Sequence, residues 1–274
     1  MVNEGAVVND GIVARDVDTM LLGYPIIRVL PFIAGAMLVG CDGTGGLAQS
    51  EPVPQGIPDE VQQLVFVTAP TWESTTGTLH RLERQDGWTL VGKEIPVTLG
   101  RSGMAWGPGL YRTIKTGVQK AEGDGKAPAG VFALEFAFGY EEQPPAGLKL
   151  PYRQARERDY WVDDPNSPDY NQWKTIPESL PNVPAQLWRT AEKMRRPDQL
   201  YELGIVVAYN ANPPVPGLGS AIFLHVWRSA ETPTVGCTAM SRTDMLELMK
   251  WLDPRRKPLL IQAPHAALPQ IVMN

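Results

Sequence analysis

The sequence predicts a mostly β fold made of one or two domains. Its 274 residues include 26 glycines and 26 prolines, a content that favours frequent turns. Short apolar or alternating stretches lie between the turns, as expected of strands. Hydrophobic residues form 43% of the chain, which is ordinary for a globular protein. The net charge of −5 argues against nucleic acid as a partner.

The strands are predicted from apolar runs and alternation. They are expected at residues 61–69, 78–84, 88–91, 95–100, 131–136, 203–209 and 258–262. His80 lies in the alternating stretch of the first hairpin, so we expect its side chain to face solvent. A helix is predicted after Ser241, which can cap it with Asp244 three residues on, and Pro254 marks its end.

The N-terminal residues are predicted to be a targeting segment. Residues 29–40 are almost entirely apolar, and positions 38–41 read L-V-G-C, which resembles the bacterial lipobox. The apolar run fits a signal peptide better than a transmembrane helix. We therefore predict that residues 1–40, or the part that begins at Met20, are removed and that Cys41 is the lipidation site. An uncleaved short anchor or a buried helix is the alternative.

The following segment is predicted to tether a catalytic domain to a membrane. Residues 41–60 are rich in glycine, proline and serine, and the folded domain is expected over 61–265. The protein would then be exported and lipid-anchored in the cell envelope, on the periplasmic side of a membrane. The chain has two cysteines, so lipidation of Cys41 would leave Cys237 as a single thiol without a disulfide partner.

Residues 140–198 form an aromatic-rich insertion with interleaved charges. One interpretation is a lid that stacks on sugar rings or peptide stems. The other is an insertion with a small core of its own. Within it, residues 184–196 carry an amphipathic spacing that predicts a helix.

The strongest chemical signal lies in residues 221–240. An apolar strand ends at His225, a polar loop follows, and Cys237 comes between this unit and the predicted helix. An imidazole can take the proton of a thiol, and a helix N-terminus would favour the thiolate. Gly236 permits a tight turn with amide N–H groups that could face an oxyanion. The alternative is a buried structural cysteine beside an unrelated core histidine.

These residues resemble the active-site segment of the L,D-transpeptidase catalytic domain family (YkuD-like). The family motif is a histidine, a loop and then Ser/Thr-His-Gly-Cys, which His225, Thr234, Gly236 and Cys237 match in part. Residues 123–130 resemble the family turn G-D-G-[RK]-[ST]-P-x-G. The resemblance covers roughly residues 95 to 262.

Several departures indicate a divergent branch of that family. Val235 stands where the motif has its second histidine, and Thr238-Ala239 replaces the usual pair after the cysteine. Ala127 replaces Ser/Thr in the turn. These differences bear on the substrate more than on the chemistry.

The resemblance implies a β-sandwich with a few short helices that acts on peptidoglycan stem peptides. Cys237 would form a thioester, and an amine would resolve it to cross-link stems or attach proteins. His225 would be the general base, oriented by a main-chain carbonyl, and Gly236 would belong to the catalytic turn. Substrate contacts are predicted for the following residues: Arg228, Thr234, Thr238 and Tyr209. No metal and no cofactor is implied.

Two alternatives stay open at this point. One is an L,D-carboxypeptidase or endopeptidase-type hydrolase that uses the same site with water as acceptor. The other is a catalytically inactive cell-wall binding module.

Overall fold

The computed structural model describes residues 53–111 and 116–273. The predictions for the signal peptide and for Cys41 lie outside these residues, as does most of the tether. Within the described ranges, no helix has the length and apolar character needed to cross a membrane.

Strands dominate the described part of the chain. Their bounds are β1 Gln63–Ala69, β2 Thr76–Arg84, β3 Trp88–Leu90, β4 Ile95–Thr98, β5 Met104–Trp106, β6 Ala127–Gly139, β7 Tyr152–Gln154, β8 Asp159–Val162, β9 Gln172–Thr175, β10 Glu192–Lys193, β11 Leu203–Val207, β12 Phe223–Val226, β13 Thr238–Met240 and β14 Leu259–Pro264. The seven strands predicted from the sequence are all present, with ends shifted by a few residues. The mostly β prediction is confirmed, and it agrees with the β-sandwich that the family resemblance implies.

The main sheet closes on itself. Its strand order is β1-β14-β6-β11-β12-β13-β4-β2-β3, and β1 also pairs with β2. β1 runs parallel to β14 and antiparallel to β2, so each of its edges has a partner. All seven residues of β1 are buried, as expected of a strand covered on both faces.

One helix covers part of this sheet. α1 spans Arg242–Trp251 and begins, as predicted, after Ser241, whose Oγ accepts a hydrogen bond from the amide of Asp244 at 3.1 Å. Its buried face includes Met245, Leu248 and Met249, which join the main core.

The insertion builds a separate three-stranded sheet in the order β10-β8-β9. A small apolar cluster lies in it, formed by Tyr160, Val162, Ile176 and Trp188. A second cluster joins the insertion to the main sheet through Trp161, Phe138, Tyr201 and Phe223. Of the two interpretations of residues 140–198, the structure therefore describes the one with a small core of its own.

The helix predicted over residues 184–196 is wrong. The chain makes a short 3-10 turn at Pro184–Gln186 and then the strand β10. Trp188 donates from Nε1 to Asp169 at 3.0 Å and packs on Tyr160, so tertiary contacts take up the apolar side chains that suggested a helix.

The solvent-facing position predicted for His80 is also wrong. His80 is 6% exposed, and it lies on β2, which pairs with β1 on one edge and with β3 and β4 on the other. Residues Leu79 to Leu82 are buried on both faces of that strand.

Candidate active site

The strands β12 and β13 run parallel, side by side, and they bring His225 and Cys237 to one face. Their register pairs Leu224 with Thr238 and His225 with Ala239. Alternate residues of an extended chain share a face, so Cys237, two residues before Ala239, lies on the same side as His225. Both residues line one cavity of about 340 Å³.

The thiol of Cys237 is held by the backbone of the neighbouring strand. Its Sγ donates to the carbonyl oxygen of Ala221 and accepts from the amide of Phe223, each at 3.4 Å. Burial, together with the smaller effect of the negative charge of Glu192, raises the pKa of Cys237 to about 12. The resting cysteine is therefore a neutral thiol.

The prediction that a helix N-terminus favours the thiolate is wrong. Cys237 is followed by β13, and α1 begins only at Arg242. The influence of helix ends is confined to the first turn, so the dipole of α1 does not act on Sγ.

His225 is buried and oriented by the main chain. Its Nδ1 lies 2.8 Å from the carbonyl oxygen of Val226. A carbonyl can only accept, so this bond places the proton on Nδ1 and leaves Nε2 as the basic nitrogen. The ring meets Tyr201 edge-on, with centroids 5.2 Å apart. Burial lowers the pKa of His225 to about 4, so the imidazole is neutral near pH 7.

The turn before Cys237 depends on Gly236 and Thr234. Gly236 has φ of +152°, and a Cβ there would meet the carbonyl oxygen of Lys126 at 3.1 Å, so only glycine fits without strain. Its amide donates to Thr234 Oγ1 at 3.1 Å, and that hydroxyl donates to the carbonyl of Cys237 at 2.6 Å. The Gly236 amide is thus already used, while the amide of Cys237 makes no hydrogen bond within the described residues.

The model of YkuD, the L,D-transpeptidase catalytic domain, matches residues 76–261. The chain belongs to this family. The matched range runs from the start of β2 into β14 and contains both His225 and Cys237. No curated protein and no solved structure gives a significant match.

The four predicted substrate contacts of this L,D-transpeptidase domain separate into two pairs. Arg228 and Thr234 line the cavity. Tyr209 lies in the core, where its hydroxyl donates to the carbonyl of Leu218. Thr238 projects to the opposite face of β13 and donates to Gln262 Oε1 at 2.6 Å. The structure therefore does not bring Tyr209 and Thr238 to the cavity.

The replacement of the motif's second histidine by Val235 changes the character of the cavity lining. It lines the cavity and is 68% exposed, at the position where the motif has a second histidine. The cavity of this domain thus has an apolar side chain where a titratable ring would be expected.

Sequence reasoning missed the part of the cavity that the insertion supplies. Asp163, Glu192 and Arg196 line it, together with Tyr201. Arg196 bonds Glu192 and Asp198, each at 2.9 Å, and its guanidinium lies 5.2 Å from the ring centroid of Tyr201. These residues match no motif, and only the docking of the insertion on the main sheet brings them to the site.

Proposed function

We propose that the protein is a peptidoglycan L,D-transpeptidase with Cys237 as its nucleophile. The observation that carries this proposal is the pairing of β12 with β13, which puts Cys237 and His225 on one face and in one cavity. The domain belongs to a family of L,D-transpeptidase catalytic domains, which supports the same chemistry.

In the acylation step, Sγ of Cys237 attacks the amide carbonyl that follows an L-centre of the stem peptide. Nε2 of His225 accepts the thiol proton as the C–S bond forms, and then gives it to the amine of the departing D-residue as the C–N bond breaks. Because both side chains rest in their neutral forms, proton transfer accompanies the attack instead of preceding it.

The amide of Cys237 is the main-chain donor left to stabilise the oxyanion. Gly236 acts through the shape of the turn, since its own amide is bonded to Thr234. A donor placed at the developing negative charge stabilises the transition state and typically lowers the barrier by about 2.7–4 kcal/mol.

In the second step an amine attacks the thioester. The new amide bond forms, the C–S bond breaks, and a proton from the amine returns to Sγ. A diaminopimelate side chain as acceptor gives a cross-link, and a protein amine gives an attachment.

Incubation of the purified protein with muropeptides tests this proposal. Cross-linked dimers that lack the terminal D-residue are expected, and Cys237→Ala should form none while it keeps its fold, because the volume change is small. Trimmed stems without dimers would indicate a hydrolase. Binding without any product in the wild type would indicate an inactive wall-binding module.

We further propose that Cys41 carries lipid and places the domain in the cell envelope. The support is the sequence L-V-G-C at positions 38–41 after an apolar run. Cys41→Ser should release the protein from membranes. A wild-type protein that is soluble and still carries residues 21–40 would contradict the anchor.

A further inference from the structure

Carboxylates outnumber cations around the active-site cavity once the ion-pair partners of its lining residues are counted. The three cationic residues that line it are Lys120, Arg196 and Arg228. Lys120 bonds Asp124 at 2.7 Å, and Arg196 bonds Asp198 and Glu192 at 2.9 Å. Arg228, 60% exposed, lies 3.3 Å from Asp198. Every cation of the lining therefore already has a carboxylate partner.

Two carboxylates of the same lining have no such partner. Glu122 and Asp163 form no ion pair with any described residue. Glu122 is held by neutral donors, the hydroxyl of Tyr170 and that of Ser220, the latter at 2.8 Å. Its negative charge is therefore fixed in place but not neutralised.

Asp163 gives a second, independent indication. Its Oδ1 is buried and accepts no hydrogen bond from the described residues. A buried acceptor without a donor is unfavourable, and in native proteins such a group is explained by a water, an ion or a functional role. The charge of Asp163 also acts on its neighbour: burial is the main cause that raises the pKa of Glu192, and Asp163 raises it further.

A cation that brings hydrogen-bond donors would answer both observations, the unpaired charges and the acceptor without a donor. An ammonium group has one positive charge and three N–H donors, which suits a carboxylate better than a neutral amide would. The substrates of an L,D-transpeptidase include an amine, the acceptor that resolves the thioester. The cavity that holds Cys237 is where this amine has to arrive.

We infer that Asp163 and Glu122 form a subsite for the ammonium group of the acyl acceptor. This inference rests on the proposed function and adds the acceptor side to it. Asp163 comes from the insertion and Glu122 from the segment before β6, so the subsite exists only where the insertion lies against the main sheet. The acceptor binds there in its charged form and loses one proton to solvent before attack.

Binding to the full-length Cys237→Ala protein tests the subsite without any chemistry. The probes are a stem tetrapeptide with a side-chain amine and the same peptide with that amine acetylated. The amine form should bind about tenfold more tightly, the scale of one charge-assisted hydrogen bond, and added salt should reduce the difference. Asp163→Asn and Glu122→Gln should each reduce it, and the double variant should abolish it.

Glu178→Gln is the matched control. It removes one carboxylate from the same insertion, is 89% exposed and does not line the cavity, so the preference for the amine form should stay unchanged. Equal affinity for both peptides, including no measurable binding of either, would overturn the inference. A preference that survives in the double variant would also overturn it.

A kinetic measurement separates this inference from the proposed function. In a protein with Cys237 intact, Asp163→Asn should raise the acceptor concentration for half-maximal cross-linking about tenfold, and the rate of acyl-enzyme formation is measured in parallel in the same variant. Absence of an acyl-enzyme in the wild type would refute the proposed function, whereas normal acylation with an unchanged acceptor requirement would refute the subsite alone.

Discussion

The main sheet and the insertion over residues 140–198 contribute to one cavity in different ways. The sheet supplies Cys237 and His225, which are 7% and 6% exposed and held by backbone contacts. The insertion supplies half-buried charged side chains, among them Asp163, Glu192 and Arg196. Packing places the first group, and ion pairs and hydrogen bonds place the second. Changes in the sheet should therefore alter the chemistry, and changes at the insertion should alter which substrate binds.

Removal of the base is expected to have the largest effect. His225→Ala should slow acylation by roughly 10²–10⁴, because the thiol is neutral and needs a proton acceptor. Rapid-quench measurement of acyl-enzyme formation checks this. His265→Ala, at an exposed position outside the cavity, is the control and should be unaffected. Unchanged acylation in His225→Ala would place the base elsewhere.

A substitution in the aromatic cluster between the two regions is expected to have the next largest effect, on stability. Phe223 meets Phe138, Trp161 and Tyr201 edge-on, at centroid distances of 5.4, 5.0 and 5.5 Å. Phe223→Ala should lower the free energy of unfolding by about 3–5 kcal/mol, measured by urea titration. Leu187→Ala, at a 46% exposed position of the insertion, should change it by less than about 0.5 kcal/mol. Similar losses in both variants would contradict this contrast.

The buried imidazole should also make stability depend on pH. The pKa of His225 is about 4 in the folded protein and about 6.5 when unfolded, so the unfolded chain binds more protons between these values. Stability should fall by up to about 3 kcal/mol as the pH drops from about 6.5 to about 4. Comparison of urea titrations across this range with those of His225→Asn isolates the effect. The same pH dependence in both proteins would assign it to other groups.

The smallest effect is expected at the rim of the cavity. Arg228 is 60% exposed, and its contact with Asp198 is that of a surface ion pair, worth about 1 kcal/mol or less. If its guanidinium meets a stem-peptide carboxylate, Arg228→Ala should raise KM a few-fold and leave kcat and the thermal midpoint unchanged. Unchanged kinetics would indicate that Arg228 is a solvated loop residue that does not contact the substrate.

The sequence predicted well the parts of the fold that local patterns decide. Apolar runs located the strands, and the cap at Ser241 located α1, because these signals act within a few residues. Cys237 and His225 could be named from the family motif, and the structure places both in one cavity.

The sequence failed where distant contacts decide the outcome. Residues 184–196 have helical spacing. However, Trp188 packs on Tyr160 and donates to Asp169, and Glu192 pairs with Trp161 in β8. His80 is buried although its stretch alternates, because burial depends on tertiary packing that no local pattern shows. The cavity residues of the insertion were missed for the same reason.

The most direct test of the account is the mass of the protein after reaction. Purified protein is mixed with a stem tetrapeptide, or with a carbapenem as a trap that the family resemblance implies, and is then analysed as intact protein and by peptide mapping. The account predicts one acyl group, located on Cys237, and none in Cys237→Ala. A wild-type protein that turns over muropeptides while Cys237 stays unmodified, or a Cys237→Ala variant with full turnover, would contradict it.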